Sequence, residues 1–144
     1  MLKLLLAVDG SDPAIRATRK LIETADLFKD PVQVELVGVH LPIPKIGGLF
    51  NTVVNQNMVE QYYKDEGAQL LAACEKLLSE AGIGYTSHIL VGQIAETIVE
   101  AGDARDCRMI FMGTRGMSAL ANVVVGSVAT KVVHLALVPV VLVH

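Results

Sequence analysis

The chain has no tryptophan, two cysteines, and only three tyrosines and three phenylalanines among its 144 residues. Two thiols, Cys74 and Cys107, are too few for the disulfide framework that staples small secreted domains, and no Cys/His cluster has zinc spacing. A reducing compartment, the cytoplasm, is therefore expected. No apolar run approaches the roughly 18 residues of a membrane span, and the stretch Leu4 to Val8 is stopped by Asp9 well short of the apolar core of a secretory signal. Twelve Lys and Arg against fifteen Asp and Glu give a net charge of −3. The basic residues are scattered, so the footprint that nucleic-acid binding requires is missing.

Apolar side chains are plentiful, at 52% of the sequence. That content excludes disordered and fibrous classes. A chain of this length hides about two-thirds of the surface its unfolded form exposes, enough for a core without staples. No repeat or linker divides it, and a single domain over residues 1–144 is expected.

Leu2 to Val8 reads as a nearly continuous apolar strand. In Asp9-Gly10-Ser11-Asp12-Pro13, either Ser11 or Asp12 can cap a helix and Pro13 suits its first position. Ala14, Ala17, Leu21, Ala25 and Phe28 keep the spacing of one helical face, and Asp30-Pro31 ends it. Val32 to Leu41 is a second strand. Leu41 to about Asn57 carries Pro42, Pro44 and Gly47-Gly48, which break both helix and strand, and reads as a long apolar lid. Met58 to Ala81 has the spacing of an amphipathic helix with Gly82 as its C-terminal cap and Gly67 as a weakness inside it. Tyr85 to Val91, Ile94 to about Ala101 and Met109 to Met112 read as strand, short helix and strand. A glycine-bearing loop follows from Gly113 to Gly126, then a helix from Ser127 to about Leu135 and a last strand, Pro139 to Val143.

Apolar strands alternating with helices describe a parallel sheet covered on both faces. Ligands of such sheets sit beyond the carboxyl ends of the strands, where the strand order reverses. Two loops there carry chemistry. Asp9, at the tip of the first strand, can accept from ribose hydroxyls or hold a magnesium ion that bridges phosphates; its alternative role is to cap the following helix. The second loop reads Gly113-x-x-Gly116, nine residues, then Gly126-Ser127 opening a helix. Glycine lets the backbone turn its N–H groups onto phosphate oxygens, and the helix N-terminus adds partial positive charge. Ser127 can donate to the same anion. The patterns GxxxxGK[ST] and GxGxxG are both absent. The spacer Met117 to Val125 is nearly all apolar, with Ser118 and Asn122 its polar side chains and Arg115 the neighbouring cation. Phosphate charge would then be offset mainly by backbone N–H groups and magnesium.

Leu4-Leu5-Leu6-Ala7-Val8-Asp9-Gly10-Ser11 and Met109-Ile110-Phe111-Met112-Gly113-Thr114-Arg115-Gly116 resemble the two signature segments of the universal stress protein family. Val91-Gly92-Gln93-Ile94, Gly126-Ser127-Val128 and the Pro139 to Val143 end match as well, so the resemblance spans the chain. Gly113, Gly116 and Gly126 followed by Ser127 are similar to the pattern of the family's ATP-binding branch. The resemblance implies a flavodoxin-like, adenine nucleotide alpha hydrolase-like three-layer α/β sandwich whose five-stranded parallel sheet has the order 3-2-1-4-5. It implies binding of ATP or AMP, with magnesium accompanying ATP, by a stress-response regulator or sensor.

Carried onto this sequence, the resemblance places Asp9 near the ribose and phosphates, the backbone around Val39 against the adenine edge, and Ala7 and Val8 along the base pocket. Met112 and Gly113 would approach the ribose and phosphate chain, and Arg115 and Gly116 would contact phosphates. Gly126, Ser127 and Val128 would close the anion nest. Residues 138–143 would lie at a sheet edge, and antiparallel pairing with a second copy would cover their backbone groups and make a homodimer. No residue of these loops is an evident base for an attacking water, so binding with at most slow hydrolysis is expected. Two other readings compete: a nucleotide-free scaffold acting through protein contacts, and a sensor of a cyclic nucleotide. His40 reads as a surface or capping residue, His88 and His134 as structural, and both cysteines as buried and inert.

Overall fold

A computed structural model of the chain describes residues 1–43, 53–115 and 125–144. Five strands and four helices alternate: β1 (Leu2–Val8), α1 (Asp12–Ala25), β2 (Val32–His40), α2 (Val53–Glu80), β3 (Gly84–Val91), α3 (Ile94–Ala104), β4 (Met109–Gly113), α4 (Ser127–Leu135) and β5 (Val140–Val143). The strands form one parallel sheet in the order β3-β2-β1-β4-β5. The expected three-layer α/β architecture and strand order are both present.

Alternation along β1 feeds two cores. Leu4, Leu6 and Val8 pack with Ala17 and Leu21 of α1 and Leu71 and Leu78 of α2. Leu5 and Ala7 pack on the other face with Ala95 and Ile98 of α3 and Ala129 and Val132 of α4. A central strand buried on both faces can be apolar at every position, which is why its sequence shows no alternation. The edge strand β3 differs: Thr86 and Ser87 are exposed, so the expectation of strands apolar on both faces holds for the centre of the sheet and not for this margin.

Three helix boundaries depart from the sequence reading by more than one residue, and the strand ends agree to within one. α1 ends at Ala25 rather than near Asp30, and Phe28 reaches the core from the turn that follows. α3 runs on to Ala104. α2 begins at Val53, so residues 53–57, assigned above to the lid, belong to the helix. Val and Asn are weak helix formers but forgo only a few tenths of a kcal/mol each, too little to stop a helix anchored further along. Gly67 of α2 is buried, and a Cβ there would collide with the Ile89 side chain, so this glycine lets α2 lie close on β3. The remainder of the lid, residues 44–52, together with Gly116 and the spacer as far as residue 124, lies outside the described residues.

The chain builds β1, β2 and β3 outward in one direction and then returns to place β4 on the other side of β1. The carboxyl ends of β1 and β4 therefore flank the point where strand order reverses, the place where doubly wound sheets form a crevice.

Candidate functional site

The turn leaving β1 is built by three neighbouring residues. Gly10 has φ +79°, a conformation that side chains rarely adopt. The Ser11 amide donates to Asp9 Oδ1 at 3.1 Å, and the Ser11 hydroxyl donates to the same oxygen. Ser11 is also the N-cap of α1, its hydroxyl oxygen accepting from the Ala14 amide at 3.4 Å. Capping thus falls to Ser11, and Asp9 fastens the turn through one carboxylate oxygen. Among the described residues Oδ2 has no hydrogen-bond donor, and Asp9 is half-buried at the strand tip.

β4 leaves the sheet beside that turn, with Met112 in register with Ala7 of β1. A Cβ on Gly113 would lie 2.7 Å from Pro13 Cβ and 3.0 Å from Pro13 C. Gly113 is therefore glycine because the first turn of α1 passes directly against it. The absence of a side chain is what lets the two exits meet.

The same loop is joined to α4. The Gly126 amide donates to the Thr114 carbonyl at 2.5 Å, and a Cβ on Gly126 would stand 3.2 Å from that oxygen. Gly126 is the N-cap of α4 and offers no side chain to the first N–H groups of the helix. Those groups, at Ser127 and Val128, can take an anion. Ser127 is exposed and Arg115 half-buried.

The structure thus brings Asp9, Gly113, Arg115, Gly126, Ser127 and Val128 to one end of the sheet. Ala7, Val8 and Met112 lie beneath them with their side chains buried in the cores, so only their strand backbone reaches toward the exits. Val39 is half-buried near the end of β2, two strands from β4. Gly116 is outside the described residues. A recess of about 440 Å³ runs along the outer side of α4, lined by Val125, Ser127, Thr130, Lys131 and His134, and of the selected residues it includes Ser127 alone.

Sequence reasoning undervalued two residues. His40 is no simple surface residue: its ring packs on Tyr63 of α2 with centroids 5.5 Å apart, and its Nε2 is buried with no hydrogen-bond partner among the described residues. The Tyr63 hydroxyl accepts from the Ile43 amide at 2.7 Å, so this aromatic pair ties α2 to the exit of β2. Thr114 is the other, buried between the two halves of the loop. His40 carries no motif signal, and Thr114, although inside the second signature segment, owes its role to contacts distant in sequence.

Titratable groups away from the loops are accounted for structurally. His88 Nε2 lies 2.6 Å from Glu35, and Arg105 reaches both His88 and the Ala101 carbonyl. Burial pushes the Cys107 thiol up to about 11, with Glu35 adding to the effect, and burial likewise raises Cys74 against the opposing Thr18 hydroxyl. Both thiols are buried. Among the described residues no three His, Cys, Asp or Glu side chains converge as a metal site, and no helix is long and apolar enough to cross a membrane.

The universal stress protein family model matches residues 1–144. The chain belongs to that family. A universal stress protein of Thermus aquaticus is 31% identical over 98% of this chain and 97% of its own length. The structure of hypothetical protein MJ0577 superposes with a TM-score of 0.81, covering 99% of this chain and 94% of that one, at 23% identity. The universal stress protein from Archaeoglobus fulgidus in complex with dAMP is 26% identical with a TM-score of 0.63, covering 100% of this chain and 98% of its own.

Proposed function

We propose that this universal stress protein binds an adenine nucleotide across the exits of β1 and β4 and serves as a nucleotide-responsive regulator in the cytoplasm. The observation that carries the proposal is the meeting of those exits at Gly113 and Pro13; it supports a ligand spanning the Asp9 carboxylate and the N-terminus of α4, which no side chain caps. Asp9 Oδ2 would accept from a ribose hydroxyl, while the N–H groups of Ser127 and Val128, the Ser127 hydroxyl and Arg115 would hold phosphate oxygens. Val39 would border the base. The relative that was solved with dAMP supports an adenylate as the ligand class.

The donors are N–H groups, one hydroxyl and one guanidinium, a set that balances a monophosphate better than a triphosphate. ATP would need magnesium, and one carboxylate completed by phosphate oxygens and water suits that ion. Among the described residues at these exits none is an evident base for water attack, so turnover is expected to be slow at most.

β5 is an outer strand, and Val133, Leu135 and Leu137 nearby are exposed. Pairing of residues 138–143 with a second copy would bury them and give a homodimer. A second reading, a nucleotide-free scaffold, draws on a different apolar cluster, in which Leu41, Ile43, Met58, Tyr62 and Val91 are all exposed. Calorimetric titration with AMP, and with ATP in the presence and absence of magnesium, separates the readings. Saturable heat with AMP, and a magnesium-dependent gain with ATP, are expected. Silence with every adenine nucleotide leaves the scaffold.

A further inference from the structure

Thr114 is one of four buried polar or charged residues among the described residues, at 3% exposure, and every polar group it has is engaged. Its amide donates to the Val143 carbonyl at 2.9 Å. Its carbonyl accepts from the Gly126 amide at 2.5 Å. Its hydroxyl meets His144 Nδ1 at 3.1 Å. A hydroxyl both donates and accepts, so either tautomer of the imidazole completes that last bond.

These bonds form one mechanical chain. The last two residues of the sequence, Val143 and His144, grip Thr114 by backbone and by side chain. Thr114 in turn holds Gly126, the residue from which α4 starts. Gly126 cannot shift toward Thr114, because its amide nitrogen already stands 2.5 Å from that carbonyl oxygen. The separation between the β4 exit and the α4 N-terminus is therefore set at Thr114.

We infer that His144 is a positioning residue for the phosphate cradle: acting through Thr114, it holds the α4 N-terminus at the distance from Gly113 that an anion requires. The inference rests on the nucleotide reading above and adds to it a residue outside both loops, 30 positions from its partner. It also makes the β5 edge, where a second copy would pair, mechanically continuous with the site.

The test compares His144→Ala, His144→Asn, Thr114→Val and the Ala/Val double variant. Three readouts are needed: calorimetric AMP affinity, amide hydrogen exchange at Gly126 in the free protein, and the thermal midpoint. Loss of one hydrogen bond should weaken AMP by roughly two- to tenfold in either single variant. The double variant should be no weaker than the poorer single, because both remove the same link. Asn can return a polar atom near the position of Nδ1, so His144→Asn should recover affinity to within about twofold. Gly126 exchange should quicken in the ligand-free His144→Ala protein. Wild-type affinity and unchanged Gly126 exchange in His144→Ala would overturn the inference, as would single-variant losses that multiply. A fall in thermal midpoint without either change would mark the contact as purely structural and also overturn it. If the wild-type protein bound no AMP, the nucleotide reading would fail, and the exchange measurement alone would still decide whether His144 controls Gly126.

Discussion

Replacing Gly113 with alanine adds one methyl group at the position where β4 passes α1. Its Cβ would lie 2.7 Å from Pro13 Cβ, closer than real Cβ atoms approach, and 3.0 Å from Pro13 C and 3.1 Å from Pro13 O, tighter than most real contacts. Two of those three atoms are backbone in the first turn of α1, which Ser11 caps and the Asp9 turn fastens, so the neighbour cannot swing aside as a flexible side chain would. Overpacking of this kind costs about 1–3 kcal/mol, and the reduced chain entropy of alanine recovers less than 1 kcal/mol of it. With about 0.5 kcal/mol recovered, the net loss is about 0.5–2.5 kcal/mol, and a urea slope of about 2 kcal/mol per molar then lowers the unfolding midpoint by roughly 0.3–1.3 M. AMP binding should weaken as well, since the two exits are forced apart. Gly102→Ala provides the control: it lies in α3, its added Cβ finds nothing nearer than Leu5 at 3.6 Å, and it should hold or raise the midpoint through helix propensity. Should Gly113→Ala unfold at the wild-type urea concentration and bind AMP normally, the contact with Pro13 does not hold the exits together and the argument for the site is lost.

Other consequences can be checked separately. The Cys107 thiol is held protonated to about pH 11, whereas the same thiol in the unfolded chain ionises near its ordinary value of 9.0. Its contribution to stability is therefore complete below pH 9 and is lost as pH rises toward 11, so the urea midpoint should drop across that window and drop less in Cys107→Ala. Ser11→Ala removes the α1 cap and the hydroxyl bond to Asp9 while keeping the backbone one; a loss of about 1 kcal/mol in denaturant unfolding is expected, with weaker AMP binding. His88→Ala takes the 2.6 Å partner from buried Glu35 and leaves Arg105 at 4.0 Å, which should destabilise the protein by about 1–3 kcal/mol without altering AMP affinity. An unchanged unfolding curve would show that water or Arg105 replaces the imidazole in full.

Much of the fold was legible because central parallel strands are apolar on both faces and the first helix opens on a serine cap followed by Pro13. Leu2 to Val8 and Ser127 to Leu135 appear in the structure with the boundaries read from the sequence. The margins were less legible. The start of α2 was hidden by residues of middling helix propensity, and β3 was idealised because an edge strand obeys solvent as much as the core. The two loops were found from Asp9 and the glycines, but for an incomplete reason. From the sequence Gly113 reads as a backbone turn toward phosphate, and in the structure it is also the space that Pro13 needs.

Local composition by itself determined the order of strands and helices, the apolar cores, and which loops could carry an anion, since each depends on neighbours within a few residues. Only the tertiary structure decided that the β1 and β4 exits abut through Pro13 and Gly113, that Thr114 is gripped by Val143 and His144, and that His40 lies under Tyr63. Those pairings join residues far apart along the chain, and no periodicity or motif records a distance that exists only once the sheet has formed.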